Sequence, residues 1–308
     1  MPLETTEYIW MDGEFVPWDE ANVHVLTHSL HYGMGVFEGI RCYDTSRGPA
    51  VFRLRDHMER LGNSADLVNI DLPYSVEEFI DASREMIRKN DQDECYIRPI
   101  VFYGYKEMGL NPEDSPVKAA IAVWPWGSYL GEESLKKGVE TKITEWRRIH
   151  PKILPPQAKT TANYANSILA KQDALEGGYD EAILLNMDGE VAEGPGENLF
   201  IVEDGEVITP PLSSGALEGI TRNSIMTVAE DMGIPVFEET ITEDRLKEAD
   251  EAFFTGTAAE VTPIREVDDG IIGEGGRGEI TKRLQGKFFD IIKGKDEDYD
   301  EWLDFVYD

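Results

Sequence analysis

Two periodicities alternate along the chain, and together they predict most of its elements. Apolar residues at Tyr8-Ile9-Trp10 and Phe15-Val16-Pro17 flank Asp12-Gly13, which predicts a β-hairpin. Arg41-Cys42-Tyr43 and Val51-Phe52-Arg53, around Gly48-Pro49, predict a second antiparallel pair. The period then changes from two to three or four. Leu54, Met58, Leu61, Ala65 and Val68 fall on one face of a helix over 54–68. Ser75 with Glu78 three residues on is a capping box that opens a second helix over 75–88. Residues 96–103 and 118–126 read as strands, so the first part of the chain is α+β.

Pro125, Gly127, Gly131 and Gly138 break the pattern in a polar stretch. The expected organisation is therefore a smaller α+β domain at 1–125, an interdomain linker at 126–138 and a larger domain at 139–308. The larger domain alternates more, in an α+β and α/β mixture. Strands are expected at 139–146 and 251–255, hairpins around Asp188-Gly189 and Asp204-Gly205, and helices at 163–175, 222–232 and 280–292. The acid-rich stretch from Asp296 to Asp308 reads as a solvated tail.

Composition narrows the class. Hydrophobic residues make up 41% of 308, enough for two buried cores. No apolar run is long enough to span a membrane. Met1 to Trp10 carries Glu4 and Glu7 and no basic-then-apolar signal, so a cytoplasmic protein is expected. The formal charge of −32 makes nucleic acid an unexpected partner, because phosphate binding needs clustered Lys and Arg. The acids are spread along the whole chain. That favours a heavily solvated surface suited to a salt-rich, halophile-like cytosol over a module for a cationic partner. Cys42 and Cys95 form no CxxC pair. His24, His28, His31, His57 and His150 have no metal-ligand spacing, so no metal is expected.

Five segments are candidates for chemistry, and the first is set aside. Gly273, Gly275 and Gly278 spell GxGxxG but lack a following βα unit, and read as a surface turn. Lys159 lies in the small, polar segment Gln157-Ala158-Lys159-Thr160-Thr161 just before a helix. Helix amides and nearby cations favour a neutral amine, which can form a Schiff base; alone, the residue reads as a solvated surface lysine. Glu193 lies in the tight turn Glu193-Gly194-Pro195-Gly196-Glu197, where a carboxylate could face a protonated pyridine nitrogen. Leu217-Glu218-Gly219-Ile220-Thr221-Arg222 and Thr255-Gly256-Thr257-Ala258 present small residues and amides suited to an anion, and Arg60 could add a bidentate contact.

Lysine, turn carboxylate and two amide cradles fit one ligand, pyridoxal 5′-phosphate. In order and spacing the chain resembles the fold type IV aminotransferases, and within them the branched-chain amino acid aminotransferases. The resemblance runs through His31-Tyr32-Gly33, Val36-Phe37-Glu38-Gly39-Ile40-Arg41, Tyr96-Ile97-Arg98-Pro99, Trp126-Gly127-Ser128-Tyr129, Ala158-Lys159 with Asn163-Tyr164, Glu193-Gly194, Glu197-Asn198-Leu199-Phe200, Gly219-Ile220-Thr221-Arg222 and Thr255-Gly256-Thr257-Ala258. It implies a two-domain fold with the cofactor at the domain interface, and a homodimer or hexamer.

The resemblance also implies roles. Lys159 forms the Schiff base and shuttles the proton. Glu193 pairs with the pyridine nitrogen, and Tyr164 hydrogen-bonds the phenolic oxygen. Arg60, Ile220, Thr221 and Thr257 hold the phosphate beside Gly219 and Gly256, and Leu217 packs on the ring. Tyr96, Thr257 and Ala258 meet the substrate carboxylate. Phe37, Trp126, Tyr129 and Tyr32 wall its side chain, with Tyr32 from a neighbouring subunit, and Arg98 binds the distal carboxylate of glutamate. The expected reaction is amino transfer between leucine, isoleucine or valine and 2-oxoglutarate. D-amino acid aminotransferases, amine transaminases and aminodeoxychorismate lyase share the framework and are the rival readings. A non-enzymatic acidic binding protein is the remaining alternative.

Overall fold

Asp12 and Gly13 both take left-handed backbone, with φ of 50° and 93°, as a two-residue hairpin turn requires. They join β1 (Tyr8–Met11) to β2 (Glu14–Pro17) in a computed structural model of the chain. The structure describes residues 3–127, 130–131 and 133–307. Tyr129, expected in the substrate site, lies outside the described residues. The chain divides into two units. One comprises Met1–Trp126, Ala158–Ala162 and Ile291–Asp308, and the other Gly127–Gln157 and Asn163–Asp290. The short segment around Lys159 and the C-terminal stretch, both expected in the second domain, group with the first unit.

In the first unit β3 (Gly35–Phe37), β4 (Ile40–Thr45), β5 (Gly48–Phe52), β6 (Cys95–Tyr103) and β7 (Val117–Trp124) join the first hairpin in one antiparallel sheet. Its order is C-terminal strand (Leu303–Phe305), β5, β4, β6, β7, β1, β2, with β3 also on β6. Helices α1 (His28–Tyr32), α2 (Leu54–Leu67) and α3 (Val76–Lys89) complete the unit. The expected capping box of Ser75 and Glu78 opens α3. Met58, Leu61 and Ala65 of α2 and Phe79, Ile80, Met86 and Ile87 of α3 bury against Cys95, Ile97, Val101, Ile121 and Val123 of the sheet. Strand alternation then decides the site. Odd-numbered residues of β6 fill this core, so Tyr96 and Arg98 point to the opposite face.

Three expectations need correction in this unit. Gly48-Pro49 is not the turn: it lies in β5, and the chain reverses at Ser46-Arg47. Arg53 leaves the strand with φ of 50° and becomes the N-cap of α2, its amide donating to Trp302 O. The acidic tail is not solvated either. Leu303–Phe305 extends the sheet beyond β5, and Tyr299, Leu303 and Val306 are buried. Arg47 holds Asp300 through two bonds, and Arg84 holds Asp304 through two of 2.6 Å. Alternating apolar residues and matching arginines outweigh the local excess of acid.

In the second unit the elements are α4 (Ser134–Lys137), β8 (Val139–Arg147), α5 (Asn163–Glu176), β9 (Glu181–Leu185), β10 (Val191–Glu193), β11 (Asn198–Glu203), β12 (Glu206–Thr209), α6 (Ile220–Asp231), β13 (Val236–Glu238), α7 (Glu243–Glu248), β14 (Glu251–Gly256), β15 (Glu260–Val267), β16 (Gly270–Ile271) and α8 (Glu279–Ile292). The sheet runs β10-β9-β8-β15-β14-β11-β12-β13, with β16 on β15. It is mixed: β8 lies parallel to β9 and β15, and β12 to β13. Most of its strands are buried on both faces, so their sequences run continuously apolar rather than alternating, as in Ala182 to Leu185 and Leu199 to Val202. The GxGxxG stretch is the turn from β16 into α8. There the Glu251 carboxylate accepts the Ile280 and Thr281 amides at 2.9 and 2.7 Å, filling the place a phosphate would need.

Candidate active site

In the first unit, Lys159 is fixed by its backbone. Its amide donates to Ser64 Oγ of α2 at 3.0 Å, and its carbonyl accepts the Phe37 amide at 3.1 Å. Thr161 continues this attachment to β3 by donating its amide to Gly35 O at 2.9 Å. The side chain remains long and single-stemmed, with Nζ 5.2 Å from the Phe37 ring centroid.

On the same sheet the outward face of β6 carries Tyr96 and Arg98. The Arg98 guanidinium lies 4.9 Å from the Phe37 ring, 5.2 Å from Tyr96 and 5.8 Å from Trp124, and it donates to Tyr96 Oη at 3.3 Å. Its Nε is buried without an acceptor, and among the described residues no carboxylate pairs with it. The Trp126 ring packs 5.0 Å from Tyr96. Gly39 makes room for this cluster: a Cβ there would fall 1.9 Å from Tyr96 Oη. Tyr32 is placed differently, half exposed on α1 with its ring 4.6 Å from His28.

Arg60, on α2, is turned toward Glu38, which follows β3. Nε and Nη2 donate to the two carboxylate oxygens at 2.7 and 2.9 Å, and His57 Nδ1 lies 2.7 Å from Oε2. Burial pushes the Glu38 carboxyl up, but Arg60 and the His57 contact outweigh it and hold the group well below the usual carboxylate range. Burial pulls His57 below the ordinary imidazole range by more than the Glu38 contact raises it. A carboxylate only accepts, so Nδ1 must carry the imidazole proton.

In the second unit, Glu193 ends β10 as a buried carboxylate. Oε1 receives Arg148 Nη2 at 2.7 Å, while Oε2 receives Asn198 Nδ2 at 3.2 Å and the Leu217 amide at 2.9 Å. Asn198 also donates to Leu217 O at 2.9 Å, so it binds Glu193 to the approach to α6. Gly219 caps α6 and can only be glycine: a Cβ would lie 1.9 Å from Asn198 Oδ1. Ile220 and Thr221 form the first turn behind a cap that brings no side-chain acceptor to their amides. Gly256 ends β14, one step past Thr255, which opposes Asn198 in the ladder. Thr257 and Ala258 make the turn into β15, and Tyr164 lies half-buried in the first turn of α5.

The structure thus gathers Phe37, Tyr96, Arg98, Trp126 and Lys159 in one unit, and Glu193, Leu217, Gly219 and Gly256 in the other. Glu38, His57, Arg148 and Asn198 are the residues the sequence reading left without a role. Glu38 and Asn198 stood beside recognised residues and Arg148 beside none, and the work of all three lies in pairing, which spacing does not reveal.

Residues 35–267 match the model of the amino-transferase class IV family. The chain belongs to the class IV aminotransferases. It is 51% identical over 298 residues to the branched-chain-amino-acid aminotransferase of Pseudomonas aeruginosa, covering 97% of each chain. It is similar to the crystal structure of the Escherichia coli branched-chain amino acid aminotransferase at a TM-score of 0.96 and 46% identity, covering 98% of this chain and 100% of that one. The branched-chain amino acid aminotransferase from Thermobaculum terrenum, solved in its PLP-form, gives a TM-score of 0.93 at 36% identity, over 98% and 99% of the two chains.

The site residues of this class IV chain fit pyridoxal phosphate on their own chemistry. A primary amine is anchored at Lys159. A buried carboxylate is held against its desolvation cost by Arg148. Gly219 opens α6 without a side chain, where a Cβ would fall 1.9 Å from Asn198 Oδ1, the residue that also holds Glu193.

Proposed function

We propose that this protein transfers the amino group between leucine, isoleucine or valine and 2-oxoglutarate, with pyridoxal 5′-phosphate as cofactor. When bound, the cofactor supplies an aldehyde that captures amino groups and a ring that draws electrons from the substrate Cα. Lys159 Nζ takes the proton from Cα and returns it at C4′, and its fixed backbone aims that transfer. Glu193, kept anionic by three donors, holds the pyridine nitrogen protonated. Arg60, Ile220, Thr221 and Thr257 bind the phosphate, Gly219 and Gly256 allow its close approach, Leu217 covers the ring, and Tyr164 donates to the phenolic oxygen.

The observation that carries the substrate assignment is Arg98 within its ring of Phe37, Tyr96 and Trp124. Aromatic walls suit a branched alkyl group. An arginine with a buried, unmatched N–H at the same place suits the distal carboxylate of glutamate, which could not be buried unpaired. Tyr96 with Thr257 and Ala258 takes the α-carboxylate, and Phe37, Trp126, Tyr129 and Tyr32 wall the side chain.

A homodimer or hexamer is supported by one apolar surface of the first unit. Val25 is 71% exposed, Leu30 63% and Leu110 88%. The His24 ring stacks 4.1 Å from Tyr105, and His28 Nε2 lies 2.7 Å from Gly109 O, tying the two exposed segments together. A surface of that kind favours burial against a second copy, which would also enclose Tyr32. The free thiols Cys42 and Cys95 suit a reducing cytoplasm. The acidic surface suits high salt, and full activity at low salt would contradict that part of the reading.

The test is glutamate formation from 2-oxoglutarate with L-leucine, L-isoleucine, L-valine or D-alanine as donor. Transfer from the three L-amino acids is expected. Transfer from D-alanine alone would overturn the assignment.

A further inference from the structure

We infer that Glu38 is a positioning residue that sets the phosphate end of the cofactor site against its lysine end. The inference rests on the reading of Arg60 as a phosphate contact. Glu38 occupies the gap between β3 and β4 along β6, with its amide donating to Pro99 O at 3.0 Å, and its side chain is 0% exposed. Both of its oxygens are engaged, one by Arg60 Nε and the other by Arg60 Nη2 and His57 Nδ1. Two of the five guanidinium donors therefore face Glu38, which fixes the plane in which the others lie.

Stability alone does not account for this cluster. Burying a carboxylate and a guanidinium is costly, and apolar residues of similar volume commonly serve a fold as well. What the cluster adds is placement. His57, Arg60 and Ser64 stand at i, i+3 and i+7, one face of α2. Ser64 receives the Lys159 amide at 3.0 Å. The Lys159 carbonyl receives the amide of Phe37, the residue next to Glu38. One helix face and one strand end thus hold both the arginine and the lysine backbone, and Glu38 is the side chain that locks the arginine to that frame.

The test compares two ligands that differ only in the phosphate. Full-chain protein stripped of cofactor is titrated with pyridoxal phosphate and with pyridoxal, and Kd is read from visible absorbance for wild type, Arg60→Ala, Glu38→Gln and His57→Asn. Glu38→Gln is expected to raise Kd for pyridoxal phosphate about 10- to 100-fold, as loss of an orienting partner does at other sites, and to leave the pyridoxal value within about twofold. His57→Asn, which leaves the Glu38–Arg60 pair in place, is expected to shift the ratio of the two Kd values in the same direction by about threefold to tenfold. It decides the matter should Glu38→Gln not fold. Equal weakening of both ligands, or an unchanged ratio in Glu38→Gln and His57→Asn while Arg60→Ala loses phosphate discrimination, would overturn the role of Glu38. An unchanged ratio in Arg60→Ala would instead overturn Arg60 as the phosphate contact.

Discussion

Arg148 and Glu193 form a buried ion pair, with Nη2 2.7 Å from Oε1 and both side chains 7% exposed. The arginine is itself held, donating Nε to Gly215 O at 3.1 Å. Removing it takes the cation at 2.7 Å away from a buried carboxylate that Asn198 Nδ2 and the Leu217 amide also hold. Arg148→Met should destabilise the protein without bound cofactor by about 3–5 kcal/mol, read as a lower urea midpoint. A midpoint equal to wild type would show that Glu193 does not depend on this pair.

Glu197 lies in the same turn and has the opposite electrostatics. Burial first, and then the charge of Glu181, push its carboxyl up to about 8 from an ordinary 4.5. The folded state therefore holds this proton more tightly than the unfolded chain. The contribution is full below about pH 4.5 and is lost as pH rises to about 8, at up to about 1.4 kcal/mol per pH unit. Glu197→Gln should flatten the fall of the urea midpoint across that window, although Glu181, also raised by burial, keeps part of the slope. An unaltered slope in the variant would contradict the neutral carboxyl.

Arg98 distinguishes the two halves of the reaction. Arg98→Leu removes the only cation proposed to meet the distal carboxylate while enlarging the apolar wall. A loss of about 3 kcal/mol corresponds to roughly a 100-fold fall in kcat/KM for 2-oxoglutarate, whereas the leucine half-reaction should change by less than about tenfold. Equal losses for both substrates would assign Arg98 to the framework instead.

The C-terminal strand offers a test of the fold. Val306 is wholly buried, whereas its neighbour Tyr307 is 51% exposed. Val306→Asp buries an unpaired charge and should lower the thermal midpoint sharply. Tyr307→Asp should stay within about 0.5 kcal/mol of wild type. Similar midpoints for the two variants would return this stretch to a solvated tail.

That strand also shows where sequence reasoning stopped. Hairpins marked by Asp-Gly, the α3 capping box and the glycine stop after α5 are local signals, and each is found where spacing put it. The C-terminal strand depends on Arg47 and Arg84, which lie more than 200 residues away, and its acids concealed its alternation. β15 was hidden for another reason: it is buried along most of its length, so it lacks the period of two. The same division holds at the site. Lys159, Glu193 and Arg98 are reactive residue types in recognisable order. Glu38 and Arg148 matter through the side chains they pair with, and only the fold supplies those partners.

Lys159 remains the residue on which the whole reading turns. The most direct measurement is the visible absorbance of wild type and Lys159→Ala, each reconstituted with pyridoxal phosphate, as L-leucine and then 2-oxoglutarate are added. Wild type should lose its visible band with leucine and regain it with 2-oxoglutarate. Lys159→Ala should show no such cycle, and its turnover should fall by about 10⁴-fold or more. A spectral cycle with near-normal turnover in Lys159→Ala, or a wild-type spectrum unmoved by leucine, would contradict it.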